Sequence, residues 1–96
     1  MTSKQRQFLK GLAHPLEPIV RVGKGGVSDA VVTETRKSLE AHELIKVRID
    51  AEDSGERKDL AARLAAATDS SLAGTVGKIA ILYRARDEKP KIKLPK

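Results

Sequence analysis

Ile19-Val20-Arg21-Val22-Gly23-Lys24-Gly25-Gly26-Val27-Ser28 is the stretch on which the reading of this chain turns. An apolar run of strand character, 19–22, meets a glycine turn, and a helix-like segment opens at Val27-Ser28. A glycine turn at such a junction lets backbone N–H groups approach an anion closely, and the helix N-terminus behind it adds partial positive charge. Lys24 adds a full charge at the tip. The arrangement suits a phosphate.

Outward from the turn, Ser28 can cap a helix over about 28–41, with Asp29 in its first turn and Val31, Val32, Thr35 and Leu39 along one face. Ile45, Val47 and Ile49 alternate with Lys46, Arg48 and Asp50, the pattern of a half-buried strand over about 44–50. Asp50 to Gly55 reads as an acidic turn. A helix over about 55–68 follows, with Asp53 and Glu56 spaced as a capping pair. Its narrow stripe of Leu60, Ala61, Leu64 and Ala65 implies close packing on a sheet. Ser70-Ser71 breaks that helix. Strands are expected at about 72–76 and at 79–83, with Gly77-Lys78 as the turn between them.

Toward the N-terminus, Thr2 to Gln5 has the spacing of a capping box, and Phe8, Leu9, Leu12 and Ala13 form an apolar helix stripe. His14-Pro15 ends that helix, because a residue before proline avoids the α region. The order α-β-α-β-α-β-β predicts an α/β (α+β) fold, with helices packed on one four-stranded mixed sheet and right-handed crossovers. The glycine turn then lies at the carboxyl end of the first strand, where open α/β sheets bind ligands.

The 96 residues fit one domain, expected to span 1–96, with residues from about 87 to 96 as a basic extended tail. No run is long and apolar enough for a membrane helix, and no secretory signal is visible. There is no cysteine, which excludes disulfides and thiolate metal sites and fits a cytoplasmic setting. The net charge of +6 is unevenly spread: +4 over 1–26, −2 over 27–83 and +4 over 84–96. A basic surplus at both ends reads either as a solvated surface or as a footprint for a polyanion.

Three phosphate-binding readings compete. A P-loop needs Gly, four residues, then Gly-Lys-Ser/Thr, and no such run exists. A dinucleotide fingerprint is matched by Gly23 and Gly25, but Ser28 occupies its third glycine position. The chain is also too short for a nucleotide domain plus a substrate site. The third is a Gly-x-x-Gly clamp on a nucleic-acid backbone, with Gly23 and Gly26 as its fixed glycines.

Composition narrows the choice. Phe8 and Tyr83 are the only aromatics, so recognition by stacking several bases is excluded. Phe8 is expected in the core and Tyr83 packed at the sheet rim. His14 and His42 lie far apart, with no partners for a metal, and read as helix C-terminal caps. Glu43, Asp50, Glu52 and Asp53 read as a solvated turn and a cap. No catalytic constellation, cofactor or small-molecule substrate is expected.

Leu9-Lys10-Gly11-Leu12-Ala13-His14-Pro15-Leu16, then Val22 to Ser28, then His42-Glu43-Leu44-Ile45-Lys46-Val47, then Gly77-Lys78 before Ile81-Leu82-Tyr83-Arg84 closely resemble the YhbY family. These are the stand-alone bacterial members of the CRM (chloroplast RNA splicing and ribosome maturation) domain. The resemblance implies an RNA-binding domain, similar to the C-terminal domain of translation initiation factor 3. It also implies association with precursors of the large ribosomal subunit; plant relatives promote group II intron splicing. The family's Gly-x-x-Gly loop falls on Gly23, Lys24, Gly25 and Gly26.

The expected activity is therefore non-enzymatic: a monomer that clamps ribosomal RNA backbone. Its contacts would be the loop with Lys24 foremost, then Lys10 and Arg21, then Arg84 and Arg86, with Lys4 beside them on the first helix. A general module for messenger RNA or DNA, and a basic adaptor for an acidic protein, stand as alternatives.

Overall fold

A computed structural model describes all 96 residues. The elements run α1 (Ser3–Ala13), β1 (Pro18–Val22), α2 (Asp29–His42), β2 (Leu44–Ile49), α3 (Ser54–Ala67), β3 (Ser71–Val76) and β4 (Ile79–Tyr83). The four strands form one sheet in the order β1-β2-β4-β3. β1 runs parallel to β2, while β4 is antiparallel to both of its neighbours. The expected order of elements and the mixed sheet are thus observed.

Local chemistry sets the helix ends. Thr2 and Gln5 form a complete capping box on α1. Ser28 caps α2 by accepting from the Val31 N–H, and Asp53 caps α3 by accepting from the Glu56 N–H at 2.8 Å. His42, expected to cap α2, is instead its last helical residue. The cap is Glu43, at φ 62°.

One sheet face carries the larger core. Val20 and Val22 of β1, Ile45, Val47 and Ile49 of β2, and Ala80 and Leu82 of β4 pack against Leu39 of α2 and Ala61, Leu64 and Ala65 of α3. The small α3 residues let its backbone settle close to the strands, as their spacing implied. Burying each of the leucines and isoleucines contributes about 1.5–3 kcal/mol.

α1 and the C-terminal segment share the opposite face. Leu9 and Ala13 meet Leu44, Ala73, Ile81 and Tyr83, and Ile92 and Leu94 close the cluster from the tail. Phe8 and Leu12, expected inside, are exposed at 39% and 42%. The reason is the helical period. Leu9 and Ala13 form one i,i+4 row and Phe8 and Leu12 the next, and α1 lays only the first row on the sheet.

Glu43 departs furthest from expectation. It is fully buried, not part of a solvated turn. Its carboxylate accepts from the backbone N–H groups of Arg86 (3.0 Å), Lys91 (2.7 Å) and Ile92 (3.1 Å). Burial pushes its acidity down, but the three donors and the Arg86 charge outweigh this, and the carboxyl is held below its ordinary value. Tyr83 lies beside it, and burial, then the Glu43 charge, push the phenol up. The tail has no regular secondary structure past Tyr83, yet it is tied to the α2–β2 junction by Glu43 and to α1 by the Gln5 amide donating to the Pro95 carbonyl at 3.0 Å.

Candidate nucleic-acid interface

Gly23 to Gly26 closes as a tight turn, the Gly26 N–H donating to the Gly23 carbonyl at 3.0 Å. Gly26 has φ +66°, a region that a side chain makes costly. At Gly23 and Gly25 the backbone is ordinary, and a Cβ would meet nothing within 4 Å. Only Gly26 is therefore required by the turn itself. The bare backbone at Gly23 and Gly25 leaves the outer surface of the loop clear, and Lys24 stands exposed between them.

The two sides of the loop differ in charge. Toward α3, a cavity of about 480 Å³ is lined by Gly23, Lys24, Asp50, Glu52, Asp53 and Glu56 among others. Several of these carboxylates are engaged. Asp50 accepts from Arg21 and, at 2.9 Å, from Arg48. The Arg21 hydrogen bond, followed by that of Arg48, holds its carboxyl below the ordinary range despite partial burial. Lys78 does the same for Glu52, at 3.0 Å.

Toward the sheet the surface is basic. Strand alternation puts Arg21 of β1 and Lys46 and Arg48 of β2 on the α1 face, on the part α1 leaves uncovered. Lys10 reaches this face from α1. Its stem crosses Gly74 of β3, where a Cβ would fall 2.3 Å from Lys10 Cε. The Lys46 ammonium donates to the His14 carbonyl at 3.1 Å. An anion reaching the loop from the sheet side meets these cations; from the α3 side it meets carboxylates.

The other expected residues lie elsewhere. Lys4 is exposed in the first turn of α1, the turn in which Gln5 meets the tail. Arg84 and Arg86 follow β4, at the opposite end of β2 from the turn that faces the loop. The Arg84 N–H donates to the Glu43 carbonyl at 2.9 Å. The Arg86 guanidinium donates to the Ala41 carbonyl, while its Nε is buried without a partner. The structure thus groups the loop, Arg21 and Lys10 with Lys46 and Arg48, and sets Lys4, Arg84 and Arg86 apart.

An apolar depression of about 400 Å³ lies between Leu12, Leu16, Ile19, Leu44 and Ile92. No group of three or more His, Cys, Asp or Glu side chains is placed to hold a metal ion. No helix is long and apolar enough to cross a membrane.

The class of domain these features form is a mixed four-stranded sheet with an open, glycine-walled turn beside a basic face. The model of the CRS1 / YhbY (CRM) domain matches residues 1–84, and the chain belongs to that family. It is 40% identical to the probable RNA-binding protein YqeI of Bacillus subtilis, over 99% of each chain. It is 38% identical to an RNA-binding protein of Haemophilus influenzae, covering all of this chain and 96% of that one. Among solved structures it is similar to protein SAV1595 of Staphylococcus aureus, described as a candidate RNA binding protein. The TM-score there is 0.89, with 37% identity over 99% of each chain.

Proposed function

We propose that this chain is a non-catalytic RNA-binding protein that grips the sugar-phosphate backbone between the Gly23–Gly26 turn and the basic sheet face. The observation that carries this reading is the free backbone surface at Gly23 and Gly25, with Lys24 exposed between them. Small residues let a polymer backbone lie against the loop, and Lys24, Arg21, Lys46, Arg48 and Lys10 neutralise about five phosphates. Log affinity should then fall with log salt at a slope of about −3.5 to −4.5. A salt-independent affinity would contradict the mechanism.

The RNA in this proposal is precursor ribosomal RNA of the large subunit. The protein holds a local shape during assembly and leaves on maturation. The resemblance to the YhbY family supports this choice of RNA, and the RNA-binding names of the relatives support the RNA class. Sucrose-gradient sedimentation with and without nuclease tests it. Co-migration with large-subunit precursors that nuclease abolishes is the expected result. A partner retained after nuclease would identify a protein adaptor, and equal affinity for duplex DNA a general nucleic-acid module.

A further inference from the structure

Beyond the loop, the uncovered sheet face holds a depression of about 250 Å³ lined by Lys10, His14, Lys46, Val76, Ile79 and Ile81. Its floor is aliphatic and its rim is polar and basic. Val76 is 64% exposed, unusual for a branched apolar residue at the end of a strand. Two features fix the rim. The His14 carbonyl holds the Lys46 ammonium, and Gly74 gives the Lys10 stem a track across β3. Flat apolar floor and paired cations are complementary to one chemical unit, a base joined to a phosphate.

The distance to the loop fits a continuous strand. Val22 pairs with Ile49, and Arg48 pairs with Ile79, so the depression and the loop lie near the same end of the sheet. β2 alone separates β1 from β4, a lateral span of about 10 Å. Arg21 and Arg48 stand between the two places. We propose that this depression seats one unstacked nucleotide of the bound RNA, its base on Val76, Ile79 and Ile81 and its phosphate between Lys10 and Lys46. The seat rests on the RNA-binding reading and adds a base contact to a site that otherwise meets only backbone.

The test is binding of a short fluorescent oligouridylate to the full chain over a salt series, with three variants. Val76→Ser removes floor without charge. Affinity should fall roughly three- to ten-fold, at or below the low end of the range for an aromatic platform, at an unchanged salt slope. Lys10→Ala should weaken binding and flatten the slope by about 0.7. Gly74→Ala displaces the Lys10 stem while keeping every charge, and should weaken binding in a protein that still folds. Cross-linking of RNA carrying 4-thiouridine should label the Thr75–Ile81 segment. Wild-type affinity in both Val76→Ser and Gly74→Ala, with labelling confined to the glycine loop, would overturn the seat and leave RNA binding standing. Failure of the wild-type protein to bind RNA at all would overturn both.

Discussion

Replacing Glu43 by alanine should loosen the tail and cost more stability than any surface carboxylate of this chain. The wild-type carboxylate accepts three backbone N–H bonds from residues that follow β4. A hydrogen bond to a charged group contributes about 1.5–3 kcal/mol net. Three such bonds set an upper figure of about 4.5–9 kcal/mol, but the freed tail regains water for its donors, and loss of the buried charge offsets part of the rest. A net cost of about 2–4 kcal/mol remains, a large share of the 5–15 kcal/mol typical of a domain.

At about 4–8 °C per kcal/mol, this predicts a Tm drop of about 8–32 °C in circular dichroism melts. Glu43→Gln keeps one acceptor oxygen and turns an amide N–H toward a donor, so it should fall between the two proteins. The pH dependence has a defined sign. The folded carboxyl is held below its ordinary 4.5. Its stabilisation is therefore complete above that value and is lost as pH falls through the folded value; the alanine variant lacks this component. A Tm within about 4 °C of wild type would refute the clasp.

Three further outcomes follow from the interface and the core. Gly26→Ala should destabilise by about 1–2 kcal/mol because φ is positive there, whereas Gly23→Ala should be neutral or gain up to about 1 kcal/mol; urea titration ranks them, and the reverse order would contradict the turn geometry. Asp50→Asn should raise RNA affinity a few-fold and steepen its salt dependence, because Arg21 and Arg48 lose their carboxylate partner; filter binding over a salt series checks this, and weaker binding would argue against a role for those arginines. Leu64→Ala, in the larger core, should cost about 2–5 kcal/mol, read as a lower denaturation midpoint; a cost below about 1 kcal/mol would contradict the packing of α3 on the sheet.

The parts legible in the sequence are those with a local cause. Period, caps and turn residues located all seven elements, because Thr2, Ser28 and Asp53 act on neighbours three residues away. What escaped depends on contacts distant in the chain. Glu43 looked like one more acid in a polar turn, and its partners lie 43 to 49 residues onward. Nothing in the run from Asp87 to Lys96 announced that Ile92 and Leu94 would close a core, although two apolar residues in a basic segment were the available signal. The alternation in β2 did place Lys46 and Arg48 on one face. Which helix would leave that face open depended on which i,i+4 row of α1 met the sheet. Gly74 gave no signal, since its role depends on a lysine from another element.

In the proposed function the Gly23–Gly26 turn holds an RNA backbone. The direct test is the RNA affinity of a chain carrying Lys24→Asp and Gly25→Asp, with folding verified by its melting temperature. The two substitutions change the loop charge by three units. At about 6 Å in water each unit is worth about 0.7 kcal/mol, so affinity should fall by at least about thirty-fold. The Tm should stay near wild type, because a Cβ at Gly25 meets nothing within 4 Å. Wild-type affinity in the folded double variant would contradict a backbone grip by this turn.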